Sequence, residues 1–122
     1  MNLSQTEALA AFAALAQETR LRVVRLLVTA GPAGMAAGAI GAALGGASSS
    51  RLSFHLAQLE HAGLVASRRE GRSIHYSAAF PALAGLIGFL MKDCCQGHPA
   101  VCDPALAALA PCCDTAEEPC HD

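Results

Sequence analysis

Six cysteines stand in two groups of identical spacing, Cys94-Cys95 with Cys102 and Cys112-Cys113 with Cys120, all at one end of a 122-residue chain. Thiolates are soft ligands that select thiophilic ions over hard cations. Three of them with no fixed fourth ligand suit trivalent arsenic or antimony, whose lone pair leaves a pyramidal three-sulfur site. The loop Gln96-Gly97-His98-Pro99-Ala100-Val101 can fold back to bring Cys102 beside Cys94 and Cys95. Adjacency argues against inert buried thiols, because neighbouring side chains do not easily share one buried face. A fourth ligand from His98 or Asp103 would suit tetrahedral zinc instead, so zinc, cadmium and lead stay open as alternatives. Cys112, Cys113 and Cys120 lie among Asp114, Glu117, Glu118 and prolines. They are either an accessory trap for the same ion or part of a tail without that role.

A disulfide scaffold would staple the fold throughout, whereas here the cysteines are confined to one end, which favours ion binding in a reducing compartment. No basic segment followed by an apolar run opens the chain, so no signal peptide is expected. The longest apolar stretch, Ala78 to Met91, is fourteen residues with Pro81, Gly85 and Gly88 inside it, short of the roughly 20 that span a bilayer. A cytoplasmic protein without membrane contact is therefore expected. Enzyme chemistry is not: there is no Cys-x-x-Cys redox pair, no phosphate loop and no nucleophile with an evident base partner. Adjacent thiols can also oxidise, which leaves a redox switch as a second use of the same residues.

The net charge of −2 hides an asymmetry. Between Arg20 and Ser77 seven arginines face only Glu60 and Glu70, a local +5, while from Lys92 onward one lysine faces six acids, a local −5. The middle of the chain can meet a polyanion although the whole is acidic. The length suits one domain plus a tail, divided here as residues 1–93 and residues 94–122.

The elements that carry these charges follow from periodicity and caps. Ser4 with Glu7 forms a capping-box pattern before Leu9, Phe12, Ala13, Leu15 and Ala16 at helical spacing. Glu18 and Thr19 are placed to cap a second helix through Val28, with Leu21, Val24, Leu27 and Val28 on one face, ended by Gly31-Pro32. Gly34 to Gly46, rich in Gly and Ala, predicts a weak helix. Ser48, Ser49 and Ser50 offer N-cap hydroxyls to a stronger one, with Leu52, Leu56, Leu59 and Ala62 on one face and Gly63 at its end. Leu64 to Arg68 and Ser73 to Ser77, joined through Gly71, predict a β-hairpin. Ser77 then caps a last helix with Pro81 in its first turn and Leu83, Leu86, Ile87, Leu90 and Met91 as a wide apolar face.

Two helices joined by a tight Gly-containing connection, followed by an Arg-flanked hairpin, match a helix-turn-helix with a wing. On the second helix the face opposite Leu52, Leu56 and Leu59 carries Ser50, Arg51, Phe54 and Gln58, which reach phosphates, base edges and thymine methyls. The segments A-L-A-Q-E-T-R-L-R-V-V-R-L-L (14–27), S-x-x-S-F-H-L-A-Q-L-E-H-A-G-L-V (50–65) and R-R-E-G-R-x-I-H-Y-S (68–77), in that order, resemble the ArsR family of winged helix-turn-helix repressors. The resemblance covers about residues 5 to 92. It implies a mainly α fold with a small hairpin wing and a homodimer assembled through the first and last helices. It also implies binding to palindromic double-stranded operator DNA, relieved by a metal or metalloid. Carried over by position, Ser48, Ser49, Ser50, Arg51 and Ser53 fall where the family contacts DNA, and Arg72 falls at the wing tip. Phe54 departs from the polar or basic residue usual at its place. Arg68 and Arg69 are expected on phosphates, and His55 as a structural histidine. The family's frequent Cys-Val-Cys pair is missing from Gly38 to Gly45. Its paired acids and histidines on the last helix are missing from residues 80–91. This directs the inducer, As(III) or Sb(III), to Cys94, Cys95 and Cys102. A metalloid chaperone docking a protein in place of DNA is the alternative from another class.

Overall fold

A computed structural model describes residues 3–46 and 48–91. The cysteine sites at positions 94, 95, 102, 112, 113 and 120, and the proposed division at residue 93, lie outside them. Five helices and three strands follow in the order α1 (Gln5–Leu15), α2 (Glu18–Ala30), β1 (Met35–Ala36), α3 (Ala37–Ala43), α4 (Ser49–His61), β2 (Val65–Glu70), β3 (Ser73–Ala78) and α5 (Phe80–Met91). The strands form one antiparallel sheet in the order β1-β3-β2. This is the expected winged helix-turn-helix, mainly α with a small sheet.

The capping box of α1 is present in both directions. Ser4 Oγ accepts from the Glu7 amide at 3.1 Å, and Glu7 Oε1 accepts from the Ser4 amide at 2.9 Å. The face that α1 buries differs from the expected one. Ala8, Ala11 and Ala14 are buried, whereas Leu9 is 60% exposed. Small side chains on the inner face let α1 lie close against α2 and α4, while Phe12 and Leu15 are only half-buried at its margins.

Neither Glu18 nor Thr19 caps α2. Gln17 does, its side-chain oxygen accepting from the Arg20 amide at 2.9 Å. Val23, Val24 and Leu27 are buried, while Leu21 and Val28 stay exposed. The fully buried centre consists of Val23, Leu27, Ile40, Leu56, Leu59 and Leu64, so α2, α3, α4 and the start of the wing share one core.

The segment after α2 is not wholly helical. Met35 and Ala36 form β1 and pair with Tyr76 and His75 of β3 before α3 begins. Gly34 permits this crossing. Its φ is +73°, and a Cβ there would collide with the Tyr76 carbonyl oxygen. Strand β3 starts at Ser73 as expected, while β2 runs two residues closer to the turn than expected, with Glu70 opposite Ser73, leaving Gly71-Arg72 as a two-residue connection. Gly71 takes a φ of 64° at its first position, as hairpin turns of this length demand. Ser77 belongs to β3, opposite Ala66, and does not cap α5. The Ala79 carbonyl instead accepts from the Leu83 amide at 3.0 Å.

Candidate nucleic-acid interface

The reading face of α4 is positioned by its own cap and by the core beneath it. Ser48 Oγ accepts from the Arg51 amide at 3.3 Å, satisfying one of the free donors at the helix start. Leu52, His55, Leu56 and Leu59 point inward and are buried. With the inward stripe fixed, the helical period sends Ser49, Ser50, Arg51, Ser53, Phe54 and Gln58 outward, and all are exposed. The structure thus brings the predicted α4 residues onto one open surface, with Ser48 at its edge.

His55 is the buried polar residue of this core, 7% exposed. Its Nδ1 accepts from Arg20 Nη1 at 3.3 Å, and Arg20 Nε donates to the Ala14 carbonyl at 2.7 Å. Since arginine only donates, Nδ1 must be the acceptor and the proton sits on Nε2. One guanidinium therefore ties the end of α1 to the middle of α4. Burial, then the charges of Arg20 and Arg51, push the His55 pKa below its ordinary value of 6.5. His55 is neutral in the fold and protonates more readily when unfolded. Its contribution to stability is complete above about pH 6.5 and is lost as the pH falls through the folded value. Urea midpoints measured from pH 8 to pH 5 are expected to fall on acidification. The fall should be shallower in His55→Gln, and equal slopes would refute the assignment.

The wing presents its arginines unequally. Arg68 Nε donates to Glu70 Oε2 at 2.6 Å and Arg68 Nη2 donates to the Ala33 carbonyl at 2.8 Å. This holds the Glu70 carboxyl below its usual range, first through the hydrogen bond and then through the charge. Arg68 is thus anchored to the body, with an exposed guanidinium. Arg69 and Arg72 are exposed and have no hydrogen-bond or ion-pair partner among the described residues. Glu60, the other acid of the basic stretch, accepts from Ser67 Oγ at 2.8 Å. Both carboxylates of residues 20–77 are therefore engaged internally, and the open charge on this part of the molecule is cationic.

Two further cations have no contact role that the sequence predicts. Arg22 and Arg25, exposed on the outer side of α2, line a shallow groove of about 300 Å³ with Leu26, Thr29, Ala43 and Leu44. The groove adjoins the α3–α4 turn. The three-residue spacing of these arginines, away from Val23, Val24 and Leu27, was the signal that could have found them.

A surface-exposed helix N-terminus bearing hydroxyls, an arginine and an amide, beside a cationic hairpin, is the arrangement by which a helix enters the major groove while a wing meets the backbone. Comparisons with known proteins agree. Residues 15–68 match a helix-turn-helix domain family. An ArsR-like transcriptional regulator from Rhodococcus sp. RHA1 is 30% identical, with 86% of this chain and 91% of that one covered at a TM-score of 0.61. The homodimeric winged helix-turn-helix DNA-binding domain of a possible ArsR-family regulator from Mycobacterium bovis is 28% identical, with 84% of each chain covered and a TM-score of 0.59. A possible transcriptional regulator for arsenical resistance is 33% identical over 64% of this chain and 77% of that one, at a TM-score of 0.56. No curated protein matches the sequence. Fold, interface and relatives together place the chain in the ArsR-like family of winged helix-turn-helix transcriptional regulators.

Proposed function

We propose that the chain is an As(III)- or Sb(III)-responsive repressor that binds operator DNA as a homodimer and is released when Cys94, Cys95 and Cys102 coordinate the metalloid. The observation that carries the DNA half is the outward face of α4, with every predicted contact residue from Ser49 to Gln58 exposed over a fully buried leucine stripe. The dimer is supported by Leu9 on α1 and by Phe80 and Ile87 on α5, large apolar side chains left exposed, and by the homodimeric relative.

The inducer half rests on donor chemistry. Among the described residues no group of three His, Cys, Asp or Glu side chains is placed to hold a metal, whereas three thiolates follow within eleven residues of Met91. When bound there, the metalloid would supply three sulfur bonds drawing Cys94, Cys95 and Cys102 together. Because Cys94 and Cys95 follow the last residue of α5 by three and four positions in sequence, gathering them would bias the end of the proposed dimerisation helix. Arg20 relays the position of α1 to α4 through Ala14 and His55. A coupling of about 1–3 kcal/mol suffices for a 5- to 150-fold loss of DNA affinity.

Fluorescence anisotropy of labelled duplex from upstream of the protein's own gene tests the reading, under reducing conditions, with arsenite titrated against a parallel zinc series. Binding released by arsenite and not by zinc is the expected result. Release by peroxide alone, reversed by reductant, would replace metalloid sensing by a redox switch. Absence of sequence-selective duplex binding would overturn the repressor itself.

A further inference from the structure

We infer that Phe54 is a thymine reader, recognising the 5-methyl group of a T in each half-site. The inference rests on the operator-binding reading and names what that face selects. Phe54 is 56% exposed in the middle of α4, the one large exposed apolar side chain among the described residues of that helix. Its neighbours one turn away, Ser50, Arg51, Ala57 and Gln58, are also exposed. The ring lies outside the leucine core, so its packing does not explain it.

The ring makes one aromatic contact. The Phe54 ring meets His55 edge-on, with centroids 5.6 Å apart and planes inclined by 63°. His55 is in turn buried and fixed by Arg20. An aromatic side chain has only two torsions to fix and so loses little conformational freedom on binding. In the major groove the four base pairs display hydrogen-bonding edges and one apolar group, the methyl of thymine. An apolar side chain on a groove-entering helix has that methyl as its complement. Arg51 and Gln58, one turn to either side, supply donors for the neighbouring edges, Arg51 to guanine and Gln58 to adenine by the usual geometry. The inferred half-site is therefore a T flanked by purine-edge contacts.

The full-length protein, kept reduced, is used to select a tight-binding duplex from a random pool. That duplex is then remade with deoxyuridine replacing each thymidine in turn, which removes one methyl and leaves pairing intact. At one symmetric pair of positions, wild-type affinity is expected to fall about fourfold per half-site, the equivalent of one buried methylene, and about 15-fold for both. Phe54→Ala should bind the thymidine and deoxyuridine duplexes equally, and Phe54→Leu, which keeps an apolar contact, should retain part of the discrimination. Circular dichroism checks that both variants fold.

A wild type indifferent to deoxyuridine at every position would overturn the inference and leave the repressor reading standing. So would a Phe54→Ala that weakens binding yet still discriminates, since the ring would then act by wedging or stacking. Failure to select any duplex would remove both the inference and the repressor reading beneath it.

Discussion

Cys94→Ser and Cys102→Ser are each expected to keep operator affinity within about twofold of wild type and to raise the arsenite needed for release by at least about tenfold, the scale of an allosteric coupling of this kind. Serine is nearly isosteric with cysteine, but its hydroxyl does not ionise near neutral pH and is a hard donor, so one of three soft ligands is lost. DNA affinity should survive because the reader on α4 is organised by Leu52, Leu56, Leu59 and the Arg20–His55 contact, none of which involves sulfur. The triple variant Cys112→Ser, Cys113→Ser, Cys120→Ser separates the two cysteine groups. A wild-type response there with loss at Cys94 assigns sensing to the first group. The reverse pattern, or unaltered release in both single variants, would remove Cys94, Cys95 and Cys102 from the mechanism. Anisotropy with and without arsenite reads all of these.

Gly34→Ala is expected to cost about 3 kcal/mol or more, from a positive φ that L-residues resist together with overpacking against a fixed backbone. The added methyl would meet the Tyr76 carbonyl and approach Ser77 Cβ to 3.1 Å. Neither is the end of a flexible side chain, so the crossing of β1 over β3 must open. Gly38→Ala, four residues on and inside α3, is the internal comparison. A Cβ there meets nothing within 4 Å, and removal of backbone freedom should stabilise by up to about 1 kcal/mol. The two variants have the same chemistry and opposite expected signs. Urea unfolding of both measures the difference, and hydrogen exchange at Met35 and Ala36 should report the lost pairing. A Gly34→Ala protein as stable as wild type would mean that β1 contributes nothing to the wing.

The parts of this architecture readable from the chain are those where cap and period agree. Ser48 to Ser50 before Leu52, Leu56 and Leu59 defines α4 on both counts, and Gly71 between alternating residues defines the hairpin. The face of α1 is not legible from size because its buried stripe is alanine. Leu9 and Phe12 draw attention by size, yet close helix approach is made by Ala8, Ala11 and Ala14. Gln17 caps α2 where Glu18 and Thr19, one and two residues later, are the expected residues, and Ser77 does not cap α5 because β3 continues through it to Ala78. β1 has only two residues, too short for any period to register. Within the interface, exposure of the α4 residues was legible from the leucines behind them. The tying of Arg68 to Glu70 and Ala33, and of Arg20 to His55, was not, because Arg68–Ala33 and Arg20–His55 join positions 35 apart in sequence that nothing local links.

The shortest strand has the widest mechanical reach. β1 ends at Ala36 and α3 starts at Ala37, so the ladder to Tyr76 and His75 bolts the wing to the first helix of the helix-turn-helix, and Arg68 adds a second bolt at Ala33. These ties link the wing to the helix-turn-helix as one jaw. Such a jaw does not let go of a duplex by folding its hairpin aside. On the proposed dimeric repressor, release would then come from changing the gap between two whole jaws, so that the spacing of half-sites, and not the fit within either one, is the quantity the proposed inducer would have to spoil.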